Sequence, residues 1–319
     1  MKKLSRIVAL FAALALVFCC AAASAETNYP NGKTITIIVP FKAGGNVDLT
    51  TRIIADGLSK VLNTNVVVEC KEGGGAIIGQ TYALNQAPDG YTVLALTSSF
   101  VTNILSGDTE YGMEDAVAVG QVCYDPEVIV ASADSGYTTL DELMKAGQEG
   151  ILTNSTPGFS TSHHIASLIF AQQFGVNFEY VHTNGSSEQV VQLAGGHVEM
   201  GFTTYGGAAT LIADGKILPL AVCANERTAA LPDVPTVAEC GYEPFVYGAY
   251  RGYAVPKGTP DEVVAILSDA LKEVMADPEI LAAFENAGFP AAYLNADEFQ
   301  VMLDQDYKNM ESIYHLLEE

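Results

Sequence analysis

The sequence predicts an α/β protein of two lobes, with mainly parallel sheets and a ligand cleft between the lobes. Three observations carry that expectation. Apolar strand-like runs alternate with runs of helical period along nearly the whole chain. Two polar, glycine-bearing loops each stand between a strand and a helix start, the place where α/β folds bind small ligands. The chain also crosses twice, around Val117–Val130 and again over Tyr247–Val255. It thus leaves one lobe, builds a second and returns. Lobe I is expected at 26–125 and 246–319, and lobe II at 126–245, with one loop on each side of the cleft.

The first 25 residues read as a secretory leader. Met1–Arg6 is basic, Ile7–Val17 is apolar, and Ala23-Ser24-Ala25 is a small-residue cleavage pattern. The apolar run is short for a spanning helix; lipidation at Cys19 or Cys20 is a second reading. The expected location is therefore periplasmic or otherwise extracytoplasmic.

The first strand, Thr34–Val39, leads into Pro40-Phe41-Lys42-Ala43-Gly44-Gly45-Asn46-Val47-Asp48 and then a helix with apolar Leu49, Ile53, Ile54, Leu58, Val61 and Leu62. A Gly pair at a strand-to-helix turn leaves N–H groups at the positive end of the helix dipole, a setting that favours an anion. Its bland alternative is a tight turn without a ligand. Asp48 sits four residues before Arg52, a spacing that equally serves a helix-surface ion pair. Val66–Glu69 is the second strand, and Gly73-Gly74-Gly75 opens a helix to Gln86. Pro88-Asp89-Gly90 marks a turn before the strand Thr92–Leu96, after which Thr97-Ser98-Ser99 is again polar.

Beyond the first crossing, Thr139 and Glu142 form a capping box. The strand Ile151–Thr153 runs into Asn154–Ser162, a hydroxyl-rich loop with Gly158, and a helix from His163 to Phe174. That loop offers donors to a carboxylate. Strands near Phe178–Val181, Val198–Phe202 and Leu218–Cys223 follow, and the last stretch is helical over Asp261–Met275, Pro278–Asn286 and Ala296–Leu317.

The formal charge is −23, and removing the leader leaves 12 Lys and Arg against 38 Asp and Glu, or −26. Such a surface repels nucleic acid and anionic lipid, so an anion site must work through local donors. Cys70, Cys123, Cys223 and Cys240 are widely spaced, without zinc-like spacing; export permits a disulfide, and buried thiols are the alternative. His163-His164 lacks the spacing of a helical zinc pair. Neither a metal nor a cofactor is expected. Arg251, one of three arginines beyond the leader, lies on the return crossing and has the fork that grips a carboxylate.

Together these fragments resemble the receptors of tripartite tricarboxylate transporters, the Bug receptors. The resemblance rests on Ile38-Val39-Pro40-Phe41 with Ala43-Gly44-Gly45 and Asp48, on Gly73–Gly79, and on Pro88-Asp89-Gly90-Tyr91-Thr92. It continues through Gly158, His164, Gly185, Gly215-Lys216, Leu231-Pro232-Asp233-Val234-Pro235-Thr236 and Ala254-Val255-Pro256. It implies a two-lobed periplasmic-binding-protein fold (Venus-flytrap, type II) and a non-enzymatic, monomeric receptor. Such a receptor would capture a small organic carboxylate and deliver it to integral membrane transporter subunits. The ligand-contacting residues it implies, with those read directly, are Phe41, Ala43, Gly44, Gly45, Asp48, Ser98, Thr156, Gly158, Ser160, Thr161, Thr204, Tyr205 and Arg251. The family often has Gly where Ser160 stands, Pro-Tyr-Lys where His182–Asn184 stand and Trp where Tyr250 stands, which points to an atypical ligand. A ligand-presenting sensory receptor, or a hydrolase or lyase using Ser160 or Asp48, are the alternative readings.

Overall fold

A computed structural model describes residues 28–314. The leader and its Cys19 and Cys20 lie outside the described residues. Strand β1 (Ile35–Val39) runs into α1 (Asn46–Val61), β2 (Val66–Cys70) into α2 (Ile77–Leu84), and β3 (Thr92–Leu96) into α3 (Ser99–Ser106). The long β4 (Ala116–Pro126) leads straight to β5 (Val128–Ser132). Then come α4 (Leu140–Glu149), β6 (Leu152–Thr156), α5 (Ser162–Phe174), β7 (Phe178–His182), α6 (Ser186–Ala194), β8 (Met200–Thr203), α7 (Tyr205–Ala213) and β9 (Ile217–Val222). They are followed by β10 (Gly248–Pro256), α8 (Asp261–Ala276), α9 (Pro278–Asn286), β11 (Ala291–Leu294) and α10 (Ala296–Ile313).

Two sheets result, ordered β11-β4-β10-β3-β1-β2 and β7-β6-β8-β5-β9. The βαβ units pair in parallel, as β1 with β2 and β3, and β6 with β7 and β8. The strands that carry the chain between the sheets, and the edge strand β11, do not. β10 runs antiparallel to β3 and β4, β11 antiparallel to β4, and β5 antiparallel to β8 and β9. The expectation of mainly parallel sheets is corrected to mixed sheets. A strand entering from the other lobe arrives without a crossover helix and is free to run either way.

Both sheets are covered on two faces. In β5 successive residues alternate, Ile129 and Ala131 packing with Phe170 and Leu143, and Val128 and Val130 with Val190 and Leu193. In the first sheet, Ile35, Ile37 and Val39 meet Ile54 and Leu58 of α1, Leu267 of α8 and Phe284 of α9. The opposite face holds Phe100 of α3 and Phe299 and Leu303 of α10. The Thr139–Glu142 capping box forms as the sequence predicts. Cys70, Cys123, Cys223 and Cys240 are all free thiols.

At the crossing, Glu127 N–H donates to Tyr247 O (3.0 Å), Cys223 N–H to Glu127 O (2.8 Å), and Tyr247 N–H to Cys223 O (3.0 Å). Three passages of chain are thus laced together between the sheets. The parallel strands point their carboxyl ends toward the gap, which brings the starts of α1, α3, α5, α6 and α7 to its walls.

Candidate functional site in the cleft

The first turn of α1 begins at Gly45, whose extended backbone serves as N-cap without a side chain. Leu49 N–H bonds to Gly45 O (2.9 Å), so the N–H groups of Val47 and Asp48 have no partner within the helix. In the other lobe α5 begins at Thr161, and Ile165 N–H bonds to Thr161 O (2.9 Å), leaving those of His163 and His164 in the same position. The Thr161 hydroxyl does not cap its helix; it donates to Gly158 O (2.8 Å).

These two helix starts meet at one cavity of about 40 Å³. Its walls are Phe41, Gly45, Asn46 and Val47 from the first loop, and Pro157, Thr161, Ser162 and His163 from the second. Thr97, Ser186, Ala249, Tyr250 and Arg251 complete it. Of the sequence-expected residues, Phe41, Gly45, Thr161 and Arg251 are therefore in the wall.

The remaining sequence-expected residues lie elsewhere, for definite reasons. Gly44 N–H donates to Asp48 Oδ2 (2.8 Å), and Ala43 O accepts from the Ser187 hydroxyl (3.1 Å) at the exposed lip. Asp48 is buried and also held by Arg52 (2.8 Å). Burial pushes its carboxyl up, but Arg52, the Gly44 N–H and the Cys70 thiol outweigh that and hold it low. Asp48 is thus the brace of the loop. Thr156 bonds His182 Nδ1 (2.7 Å), and Gly158 packs on Gly75. Ser160 takes a left-handed φ of 61° so that its N–H can reach His164 Nδ1 (3.1 Å). Ser98 and Ser160 are buried next in the chain to the wall residues Thr97 and Thr161, each with an unpartnered hydroxyl. Tyr205 faces a wider groove of about 880 Å³ on the hinge side, with Tyr124, Val246, Leu281 and Phe289. That groove has donors in Asn225, Arg227, Thr228 and Asn286 but is also lined by Asp125, Glu226 and Glu285, whereas no carboxylate stands in the wall of the smaller cavity, which makes the smaller cavity the better anion site.

Residues absent from the sequence-based set are Asn46, Val47, Thr97, Pro157, Ser162, His163, Ser186, Ala249 and Tyr250. The strand–Gly–helix pattern that flagged the first loop also stands at His182–Ser186 and could have flagged Ser186.

Polar contacts close the lobes over this cavity. Lys42 N–H donates to Asn184 O (2.9 Å), Asn46 N–H to Ser186 Oγ (3.0 Å), and the Thr102 hydroxyl to Ser160 O (2.6 Å). Thr204 Oγ1 accepts from Asn46 Nδ2 (2.8 Å) of one lobe and from Arg251 Nη2 (3.0 Å) of the return strand.

Charge at the back wall is paired. Arg251 reaches Asp125 Oδ2 through both terminal nitrogens (3.3 Å each) and Cys123 Sγ (2.9 Å). Burial pushes Asp125 up to about 6, against the pull of Arg251. Burial opposes the charge on Arg251 too, but Cys123 and Asp125 outweigh it, so the guanidinium stays charged. His163 Nδ1 lies 2.6 Å from the buried Glu127 Oε1. His164, packed edge-on against Tyr180 and His182, is lowered to about 3 by burial and by His182, and stays neutral. Among the described residues no cluster of three or more His, Cys, Asp or Glu could hold a metal, and no helix is long and apolar enough to cross a membrane.

Residues 50–317 match the family described as tripartite tricarboxylate transporter family receptor. The chain belongs to this family of receptors. It is 32% identical over 265 residues to a protein encoded in the tcbD-tcbE intergenic region of a Pseudomonas species, covering 82% of this chain and 79% of that one. It is 29% identical to BugT of Bordetella pertussis over 93% of this chain and 92% of BugT. The periplasmic binding protein BugD superposes with a TM-score of 0.82 at 27% identity, over 89% of this chain and 97% of BugD. Two Rhodopseudomonas palustris proteins, one solved with adipate and MatC with bound malate, share the fold with TM-scores of 0.84 and 0.80, each at 23% identity. They cover 91% and 88% of this chain, and each is itself covered to 98%. The chain is accordingly a two-lobed solute-binding receptor and not an enzyme.

Proposed function

We propose that this receptor captures a compact organic carboxylate in the cavity between α1 and α5 and hands it to an integral membrane transporter. The supporting observation is the convergence of two helix N-terminal turns, one from each lobe, on a single cavity. Their spare N–H groups suit an oxyanion, and the Ser186, Ser162 and Thr97 hydroxyls add donors. Arg251 is spoken for by Asp125, so the wall adds little net charge and selectivity rests on donor placement. Charge-assisted hydrogen bonds contribute about 1.5–3 kcal/mol each. Three or four, less the losses of closure and ordering, give roughly micromolar affinity. The enclosed space equals roughly three waters, about one carboxylate group, which favours small acids over bulky ones.

On this reading the lobes are residues 26–125 with 246–319, and 126–245. The ligand contacts are Phe41, Gly45, Asn46, Val47, Thr161, Ser162 and Arg251, with Ser98 and Ser160 as reserve hydroxyls. The protein works as a monomer outside the cytoplasm. The relatives solved with adipate and malate support a carboxylate as cargo. Thermal unfolding with 1 mM malonate, malate, adipate, citrate, aspartate or benzoate tests the proposal. At least one acid raises Tm by roughly 7 °C, the shift expected when ligand exceeds Kd about a thousandfold. No shift with any of them at millimolar concentration defeats it.

A further inference from the structure

Helix α7 starts against its own interest. Its N-cap is Thr204, yet the Thr204 hydroxyl makes no capping bond. Its second and third residues are Gly206 and Gly207, the least favourable ordinary residues for a helix interior. Local conflicts of this kind concentrate where function requires them.

Both conflicts face the other lobe. Instead of capping, Thr204 Oγ1 accepts from Asn46 Nδ2 and Arg251 Nη2. A Cβ at Gly207 would overlap Asn46 Oδ1 and stand 2.7 Å from Asn46 Cγ. A Cβ at Gly206 would overlap the ring of Phe289, 2.6 Å from its Cδ1. Asn46 is buried, and its Oδ1 has no hydrogen-bond partner where it lies against Gly207. Asn46 is also the first residue of α1 and part of the cavity wall.

We infer that Gly207 is a positioning residue for closure: its bare backbone lets Asn46 seat on α7, which brings the α1 N-terminus over the cavity. Gly206 does the same for Phe289. The inference rests on the closing-receptor reading above and concerns how the lobes come together. Within an isolated lobe II, nothing asks for glycine at either position, and alanine would be the better helix former.

The test needs no ligand. A Cβ built on Gly44 lies 4.0 Å from Ser187 Cβ across the lip, within the separation a disulfide spans. The full chain carrying Gly44→Cys and Ser187→Cys should therefore cross-link under mild oxidant at a rate that reports closure, the strain of a side chain at the Gly44 φ of 78° being common to every version compared. Single-cysteine versions correct for Cys70 and Cys240. Adding Gly207→Ala slows cross-linking about tenfold or more, the effect of displacing a buried amide from its partner. Tm of the reduced protein stays the same or rises. In an Asn46→Ala background the same Gly207→Ala change slows cross-linking less than twofold, because the obstructing amide is gone. The inference is overturned if Gly207→Ala leaves the rate unchanged, if it slows the rate equally with and without Asn46, or if it lowers Tm. Malate and adipate binding to the wild type is measured alongside. Failure of both acids to bind bears on the proposed cargo, while the cross-linking result bears on Gly207 alone.

Discussion

Replacing Arg251 by Met removes the cation from the back wall and leaves Asp125 in place. Asp125 is 2% exposed and Arg251 4%, so bulk water solvates the pair poorly. The guanidinium gives up its contacts with Asp125, Cys123 and Thr204 together. Breaking a buried pair from one side costs about 3–5 kcal/mol, because an uncompensated charge remains. For a chain of this length that is a fall in Tm of roughly 5–8 °C at pH 8. The carboxyl can escape by taking up a proton. Its folded pKa is already raised to about 6 by burial, and loss of Arg251 raises it further. For a raised acid the folded form holds the proton that the unfolded form loses. The destabilisation is therefore absent below the unfolded pKa, near 4, and grows as pH rises to the folded one. The Tm deficit of Arg251→Met should be clearly smaller at pH 5 than at pH 8, and Arg251→Met with Asp125→Leu should recover most of it. Calorimetry at the two pH values decides. A deficit under about 2 °C at pH 8, or one that is larger at pH 5, refutes the argument that this is a paired buried charge.

Ser186→Ala takes the acceptor from Asn46 N–H across the cleft (3.0 Å); carboxylate affinity should fall about fivefold to tenfold by titration calorimetry, with Tm of the free protein within 1–2 °C. His164 carries the opposite pH sign to Asp125. Its depressed folded pKa of about 3 means the unfolded chain binds a proton first, so stability falls as pH drops from about 6.5 toward 3. His164→Asn should flatten that acid-side loss in a series of Tm measurements. Asp48→Asn removes the charge from the brace that holds Gly44 N–H and Arg52; carboxylate affinity should drop several-fold as the loop loosens, and malate or adipate titration reads it.

Much of the fold was legible because β1, β3 and β5 are short apolar runs and α1 and α4 carry a clear helical period. α3 escaped notice because Ser99–Ser106 follows β3 with only two residues between, and its apolar run reads as either state. β11 is four partly exposed residues at a sheet edge and leaves almost no pattern. The direction of β10 was not legible, since pairing with both β3 and β4 is decided by sheet order. At the candidate cavity, parts of both loops and Arg251 stand in the wall, but which backbone atoms are spare was not legible. The amides of Lys42, Gly44 and Asn46 looked free in the sequence, yet they bond Asn184, Asp48 and Ser186. Two of those partners lie about 140 residues away in the chain, a relation no local pattern records.

The character of those cross-lobe bonds explains how so small a cavity can control so large a movement. Apolar packing between the lobes comes from Ile165 and Ile169 of α5 and from Phe289 on Gly206. The hydrogen bonds across the lips join Lys42 with Asn184, Asn46 with Ser186 and Thr204, Ser187 with Ala43, and Thr102 with Ser160. Each exchanges a bond to water for a bond to protein, a net gain of about 0.5–1.5 kcal/mol. The Lys42–Glu188 pair at the rim is half exposed and adds less. Closure without cargo is therefore close to balanced, and a few kcal/mol from a carboxylate suffices to set it. An apolar seam would keep the lobes shut whether or not cargo was present. The glycine face of α7 allows the same close approach, Gly207 meeting the Asn46 amide and Gly206 the Phe289 ring.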